Sequence, residues 1–199
     1  MSANHAAFNL IFRFVENYVS PIAGRISSQR HVMAIRDGFI SAMPFMIVGS
    51  FLLVFAYPPF SPDTTWGFAR AWLDMAKQFE GQILTPFDMT MGIMSIYICA
   101  AIAYNLGKHY VKTHQLDPFM CAMLSLMAFL LVAAPKTKGT LPVDSLGGTG
   151  IFTAILVAIY CVEMMRFLKA HNIGIRLPDQ VPPMIKNSFD LLIPVLVVV

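Results

Sequence analysis

The chain has 199 residues, 57% of them hydrophobic and only 13% charged, with a formal net charge of +3. So little polar surface cannot solvate a globule of this size, so part of its solvent must be lipid and a soluble enzyme is excluded. No basic surface interleaved with aromatics is present to suit nucleic acid, and no nucleic-acid partner is expected.

The chain opens on an amphipathic segment over residues 1–30, expected on the cytoplasmic side. Phe8, Ile11, Val15, Tyr18 and Ile22 recur at helical spacing, with Phe12 and Val19 beside them, while Arg13, Glu16, Asn17 and Ser20 take other faces. This predicts a helix lying on the membrane surface or packed against a neighbouring domain. Residues 1–29 lack a continuous apolar core and a small-residue cleavage site, so no secretory signal is read there. Pro21, Gly24 and the polar residues 27–30 loosen the chain before the first span.

Four stretches without Asp, Glu, Lys, Arg or His follow, at residues 38–62, 89–107, 118–135 and 145–162. A helix crossing a ~30 Å hydrocarbon core needs about 20 mostly apolar residues, which predicts spans over residues 34–57, 86–106, 118–134 and 149–168. Residues 191–199 begin a fifth span, unfinished where the sequence ends. The expected fold is all-α: a polytopic helical membrane protein with four full transmembrane helices, the start of a fifth, and amphipathic interfacial helices. Residues 31–199 form its membrane part.

Pro44 and Gly49 lie within the first span, as membrane helices tolerate. The connection over residues 58–88 opens with Pro58, Pro59 and Pro62, and within it Trp66, Ala69, Trp72, Leu73, Ala76 and Phe79 keep a helical stripe. Both tryptophans are here, and Trp anchors at the membrane boundary, so a second interfacial helix is predicted. The next span is expected to begin at Pro86, Phe87 and Asp88. There the Asp88 carboxylate is predicted to accept from the orphan N–H groups and oppose the helix dipole, the competing reading being an ion path. Gly147, Gly148 and Gly150 precede the fourth span; without a preceding strand or a Lys-Ser/Thr at phosphate-loop spacing, they read as a plain turn. The small residues Gly49, Ser50, Ala100, Ala101, Ala103, Ala154 and Ala158 would let helices approach closely in lipid.

Charge sets the orientation. With the amino terminus in the cytoplasm, ten of the 14 Lys and Arg residues are inside (Arg13, Arg25, Arg30, Arg36, Lys108, Lys112, Arg166, Lys169, Arg176 and Lys186), and Arg70, Lys77, Lys136 and Lys138 are outside. That is the positive-inside direction.

No catalytic grouping is found: no nucleophile meets its base, and no cofactor site is expected. His5, His31, His109, His114 and His171 lie outside the four spans and form no metal motif; His109 and His114 have only Asp117 as a third ligand. No metal site is assigned. Cys99, Cys121 and Cys161 are expected to pack as small apolar side chains. Glu163 and Arg166, at i and i+3 near the cytoplasmic end of span four, are predicted to pair locally rather than to relay protons.

The pattern I-x-L-P-D-x-V-P-x-x-I-x-x-S-F-x-x-L-I-P over residues 175–194 reads as an extended lead-in to a helix starting near Pro182 or Pro183. It resembles a signature of the membrane-embedded C component (permease IIC) of the bacterial sugar phosphotransferase system, in its lactose, cellobiose and diacetylchitobiose branch. Further likeness lies in the run from Ile35 to Pro44 with Gly49 and Ser50, and in Gly92 to Tyr97 with Ile102 to Gly107. The resemblance implies the scaffold half of a longer, two-part permease in the bacterial cytoplasmic membrane, forming a homodimer and working with soluble IIA and IIB components. It implies movement of a β-linked disaccharide coupled to phosphorylation by those partners, the sugar-holding His and Glu belonging to the other half. The chain is thus expected to be a fragment, a truncated product or one piece of a split protein. Asn187 and Ser188 are the candidates here for touching sugar, with capping of the helix start as their competing role. The rival function is a truncated or accessory membrane subunit with an interaction role and no transport of its own. An ion-coupled transporter is disfavoured by the lack of ionisable residues at mid-membrane depth.

Overall fold

The computed structural model describes residue 13 and residues 15–133, 143–174, 182, 185 and 189–198. After a π-helical turn, Val15–Val19, the helices are α1 (Ser20–Ser27), α2 (Arg30–Ala56), α3 (Gly67–Phe87), α4 (Met94–His114), α5 (Pro118–Ala133), α6 (Ile151–Ala170) and α7 (Leu192–Val198). The described residues contain no strand. Three helical stretches, Arg30–Ala56, Gly67–His114 and Gly148–Ala170, are long and apolar enough to cross a membrane. Pro118–Ala133 is apolar with 16 residues, ~24 Å of helix against a ~30 Å core. Where four full spans were expected, the described residues hold three such stretches and this shorter helix.

α4 is the centre of the bundle, packed by α2, α5 and α6. Its buried residues, Ser95, Ile98, Cys99, Ile102, Ala103, Leu106, Gly107 and Tyr110, recur at helical spacing. α2 meets it through small residues, since its buried positions are Ala34, Gly38, Ala42, Gly49 and Ala56, while Ile40, Ile47, Val48, Phe51 and Val54 face outward. Lipid supplies no hydrophobic drive between helices, so close backbone approach replaces it. A Cβ on Gly38 would lie 2.9 Å from the Ile102 backbone nitrogen, and one on Gly107 3.0 Å from Pro118 Cα.

The junction between α3 and α4 corrects the sequence reading. A π-helical turn, Asp88–Gly92, joins them, so the α-helix expected to begin at Pro86 begins at Met94. Pro86 does not open a helix; it lies inside α3. Its ring removes one backbone donor and strains the turn. The Thr90 hydroxyl donates to the Pro86 and Phe87 carbonyls at 2.8 and 3.1 Å, binding this turn to the next. Asp88 follows α3 as its C-cap residue, and α4 begins after Ile93 with no side-chain cap. The helix start that Asp88 was expected to cap therefore does not exist.

An aspartate does cap one further on. Gln115 turns the chain after α4 with φ 52°, and Asp117 Oδ1 accepts from the Phe119 N–H at 2.8 Å to open α5. At the opposite end of the bundle, the Ser95 hydroxyl donates to the Leu146 carbonyl. There a Cβ on Gly147 would lie 2.9 Å from the Gly92 carbonyl oxygen, and one on Gly150 2.8 Å from Ser95 Oγ. Those glycines serve close packing of two turns on the head of α4.

Along the α3 stripe, Ala69 and Ala76 are buried, and the Trp72 indole N–H donates to the Phe55 carbonyl at 3.2 Å. Phe60, Trp66 and Phe68 gather around Trp72. The stripe thus fastens α3 to the end of α2. Val19, Ile22 and Ile26 of the first helical segment are exposed.

Candidate functional site

Two arrangements of polar side chains stand out. The first joins three helices at one end of the bundle. Glu163 of α6 pairs with Arg166 at 2.7 Å, as its i, i+3 spacing predicts. Its other oxygen accepts from His31 Nε2 of α2 at 2.9 Å and from the Tyr110 hydroxyl of α4 at 2.5 Å. Arg30 and Arg166 lie 5.3 and 5.2 Å from the centre of the Tyr110 ring. Glu163 is 24% exposed, so this carboxylate is held by three donors in a partly desolvated place, where charge-assisted hydrogen bonds are strong. The Arg166 Nε is buried with no partner among the described residues. Chemically the cluster is a clasp on α2, α4 and α6. Sequence reasoning found only its local pair, because His31 and Tyr110 lie 132 and 53 residues away.

The second is a cleft of about 380 Å³ along α4, between α2 and α5. Ser41 and Phe45 of α2 face Tyr97, Tyr104, Asn105 and Lys108 of α4 across it, with alanines between. Phe45 and Tyr97 stack with centroids 4.6 Å apart, and Lys108 Nζ lies 4.5 Å over the Tyr104 ring.

Asn187 and Ser188, the sequence candidates for sugar contact, lie outside the described residues, as does most of the proline-rich pattern. Just beyond them, Asp190 pairs with Lys169 of α6 at 2.9 Å, and the same lysine donates to the Gln115 carbonyl at 2.9 Å. This fastens the approach to α7 beside the ends of α6 and α4. Pro194 of α7 is buried, and Leu191, Val195 and Val198 pack on the core. Among the described residues no three His, Cys, Asp or Glu side chains gather to hold a metal. His114 packs edge-on against Tyr110 at 5.5 Å. The three cysteines are buried and free.

Comparison with known proteins places this architecture. The family model for the phosphotransferase system EIIC matches residues 36–199. The chain belongs to the phosphotransferase system EIIC family. It is 37% identical to the cellobiose-specific EIIC component of Geobacillus stearothermophilus, over 94% of this chain and 43% of that protein. It is 34% identical to the lichenan permease IIC component of Bacillus subtilis (strain 168), over 94% of this chain and 42% of that protein. Its fold matches the crystal structure of the transporter ChbC, the IIC component of the N,N'-diacetylchitobiose-specific phosphotransferase system. That match has a TM-score of 0.76 and 34% identity, and covers 94% of this chain and 44% of that one. The chain thus spans less than half the length of these EIIC relatives. The long apolar helices agree with membership in a family of integral membrane permeases.

Proposed function

We propose that this chain is the scaffold half of a phosphotransferase-system permease that carries a β-linked disaccharide, of the cellobiose, lactose or diacetylchitobiose kind, across the bacterial cytoplasmic membrane. The observation that carries the reading is the likeness to ChbC over nearly the whole chain at 34% identity; relatives named for cellobiose and lichenan point to the same sugar class. The geometry supports a scaffold role. α4 is held on three sides by helices in close contact, and Glu163 fastens three of the four at one end, which gives a moving domain something rigid to move against.

In this reading residues 31–199 form the scaffold and residues 1–30 lie along the cytoplasmic face, with the amino terminus inside as the ten-to-four division of Lys and Arg requires. The scaffold pairs as a homodimer. Soluble IIA and IIB components supply the phosphoryl group, and this chain supplies none of the covalent chemistry. Asn187 and Ser188 offer amide and hydroxyl groups to sugar hydroxyls, which need directional partners.

The test replaces the matching stretch of the Geobacillus stearothermophilus cellobiose permease with this chain, in cells lacking their own β-glucoside permeases but supplied with the soluble partners. Saturable, phosphoenolpyruvate-dependent uptake of labelled cellobiose is expected. In that hybrid, Asn187→Ala is expected to raise the KM for uptake about 3- to 10-fold, the loss of one sugar hydrogen bond. A hybrid that inserts in the membrane yet takes up no sugar overturns the scaffold reading.

A further inference from the structure

The cleft between α2 and α5 has a floor that lipid tails alone cannot solvate. Tyr97, Ala101, Tyr104, Asn105 and Lys108 share one face of α4. The Asn105 amide donates one N–H to the Ala101 carbonyl at 2.9 Å. Its second N–H, its oxygen and the Tyr104 hydroxyl have no partner among the described residues, and Lys108 makes no ion pair among them. Polar groups left so in hydrocarbon are costly, so this face calls for a polar or charged occupant.

Depth along the helix sorts these groups. Lys108 is the first charged residue after the uncharged run 89–107, and so marks the hydrocarbon edge. Tyr104 and Asn105 lie ~4.5–6 Å further in, and Tyr97, stacked on Phe45, lies ~16.5 Å in at ~1.5 Å per residue, about half of a ~30 Å core. Polarity falls from ammonium, through amide and phenol, to alanines and stacked rings. A phospholipid changes from phosphate, through glycerol esters, to acyl chain over the same distance. Arg36 and Asp37, nearby on α2, neutralise each other at 2.8 Å, and Lys108 is the charged residue among the described residues that line the cleft. The lining residues include no carboxylate.

We propose that this cleft is a specific site for one anionic phospholipid. Its phosphate sits on Lys108, its ester region meets the Tyr104 hydroxyl and the Asn105 amide, and one acyl chain runs over Ala101 to the Phe45–Tyr97 stack. A zwitterionic lipid brings its own ammonium to the same cation and is disfavoured.

The 199-residue protein, purified in mild detergent, is titrated with palmitoyl-oleoyl phosphatidylglycerol or phosphatidylcholine, and bound lipids are counted by native mass spectrometry. One phosphatidylglycerol is expected to bind more tightly than phosphatidylcholine. Lys108→Gln is expected to weaken phosphatidylglycerol about fivefold and abolish the preference, the share one lysine contributes at an anionic surface. Lys108→Arg is expected to retain the preference, which shows the fold intact, and Lys77→Gln, at the far end of the bundle, to leave both lipids unchanged. Equal affinity for the two lipids in the unaltered protein overturns the proposal, as does a preference that survives Lys108→Gln. A dimer that Lys108→Gln dissociates without changing lipid preference also overturns it, by assigning the cleft to a second copy of the chain.

Discussion

Gly38 and Glu163 hold the bundle by opposite means, one through the absence of a side chain and the other through a surplus of hydrogen-bond partners. A Cβ on Gly38 would press on the Ile102 backbone, which cannot rotate away as a side-chain tip can. Gly38→Ala is therefore expected to part α2 from α4 and destabilise the protein by about 1–3 kcal/mol, read as a fall in the unfolding midpoint in detergent. Gly24→Ala, with nothing within 4 Å, should show no such fall. Glu163→Gln keeps the shape of the clasp but removes the charge that Arg166, His31 and Tyr110 share, and is expected to cost about 1–3 kcal/mol. Tyr110→Phe, which removes one donor and leaves the ring between its arginines, should cost less, about 0.5–1.5 kcal/mol. If the two clasp variants melt like the unaltered protein, the cluster is not a fastening. Residue spacing made the pairing of Glu163 with Arg166 legible. His31 was unreadable because a residue at the foot of one helix carries no mark of which other helix it meets.

At the scale of elements, the uncharged run that predicted a helix over residues 34–57 falls on α2, Arg30–Ala56, because exclusion of charge from hydrocarbon acts on every residue in turn. Such runs did not locate the boundary between α3 and α4. There the proline read as a helix start is carried inside a helix, and the Thr90 hydroxyl binds the carbonyls that lead into the π turn, a rescue that depends on neighbours three and four residues away. Nor did composition say which face of α2 packs. The buried side is marked by small residues rather than large ones, the reverse of a soluble helix. Orientation is open to a direct check in a variant lacking the three native cysteines, all of them buried. Single cysteines at Asp63, between α2 and α3, and at Lys112, near the end of α4, are expected to react from opposite sides of the membrane, Asp63→Cys with an impermeant reagent in intact cells and Lys112→Cys only after permeabilisation. Equal labelling in intact cells would reject the charge-based topology.

For the whole molecule, the structure gives four of the seven small residues expected at close helix contacts a place inside the chain. Gly49, Ala103, Ala154 and Ala158 are buried between helices of the same chain, so they do not form the face of a homodimer. What remains outward on α6 is Phe152, Leu156, Tyr160 and Phe167, with Phe152 72% exposed. These residues follow one another at i, i+4, i+8 and i+15, a single stripe along the helix. Lipid solvates such a stripe without penalty, so exposure alone does not argue for a partner; the stripe is the outward surface of α6 that a copy of the chain would meet across a two-fold axis, where each contact occurs twice. The protein is expected to run as a homodimer in mild detergent over a wide range of protein concentration. In a background lacking native cysteines, cysteine at Phe152 or Tyr160 is expected to cross-link two copies under oxidation, while cysteine at Ile40 or Phe51, on the outward face of α2, is not. A constant monomeric mass would refute the dimer. Cross-links from α2 in place of α6 would keep the dimer and move its interface.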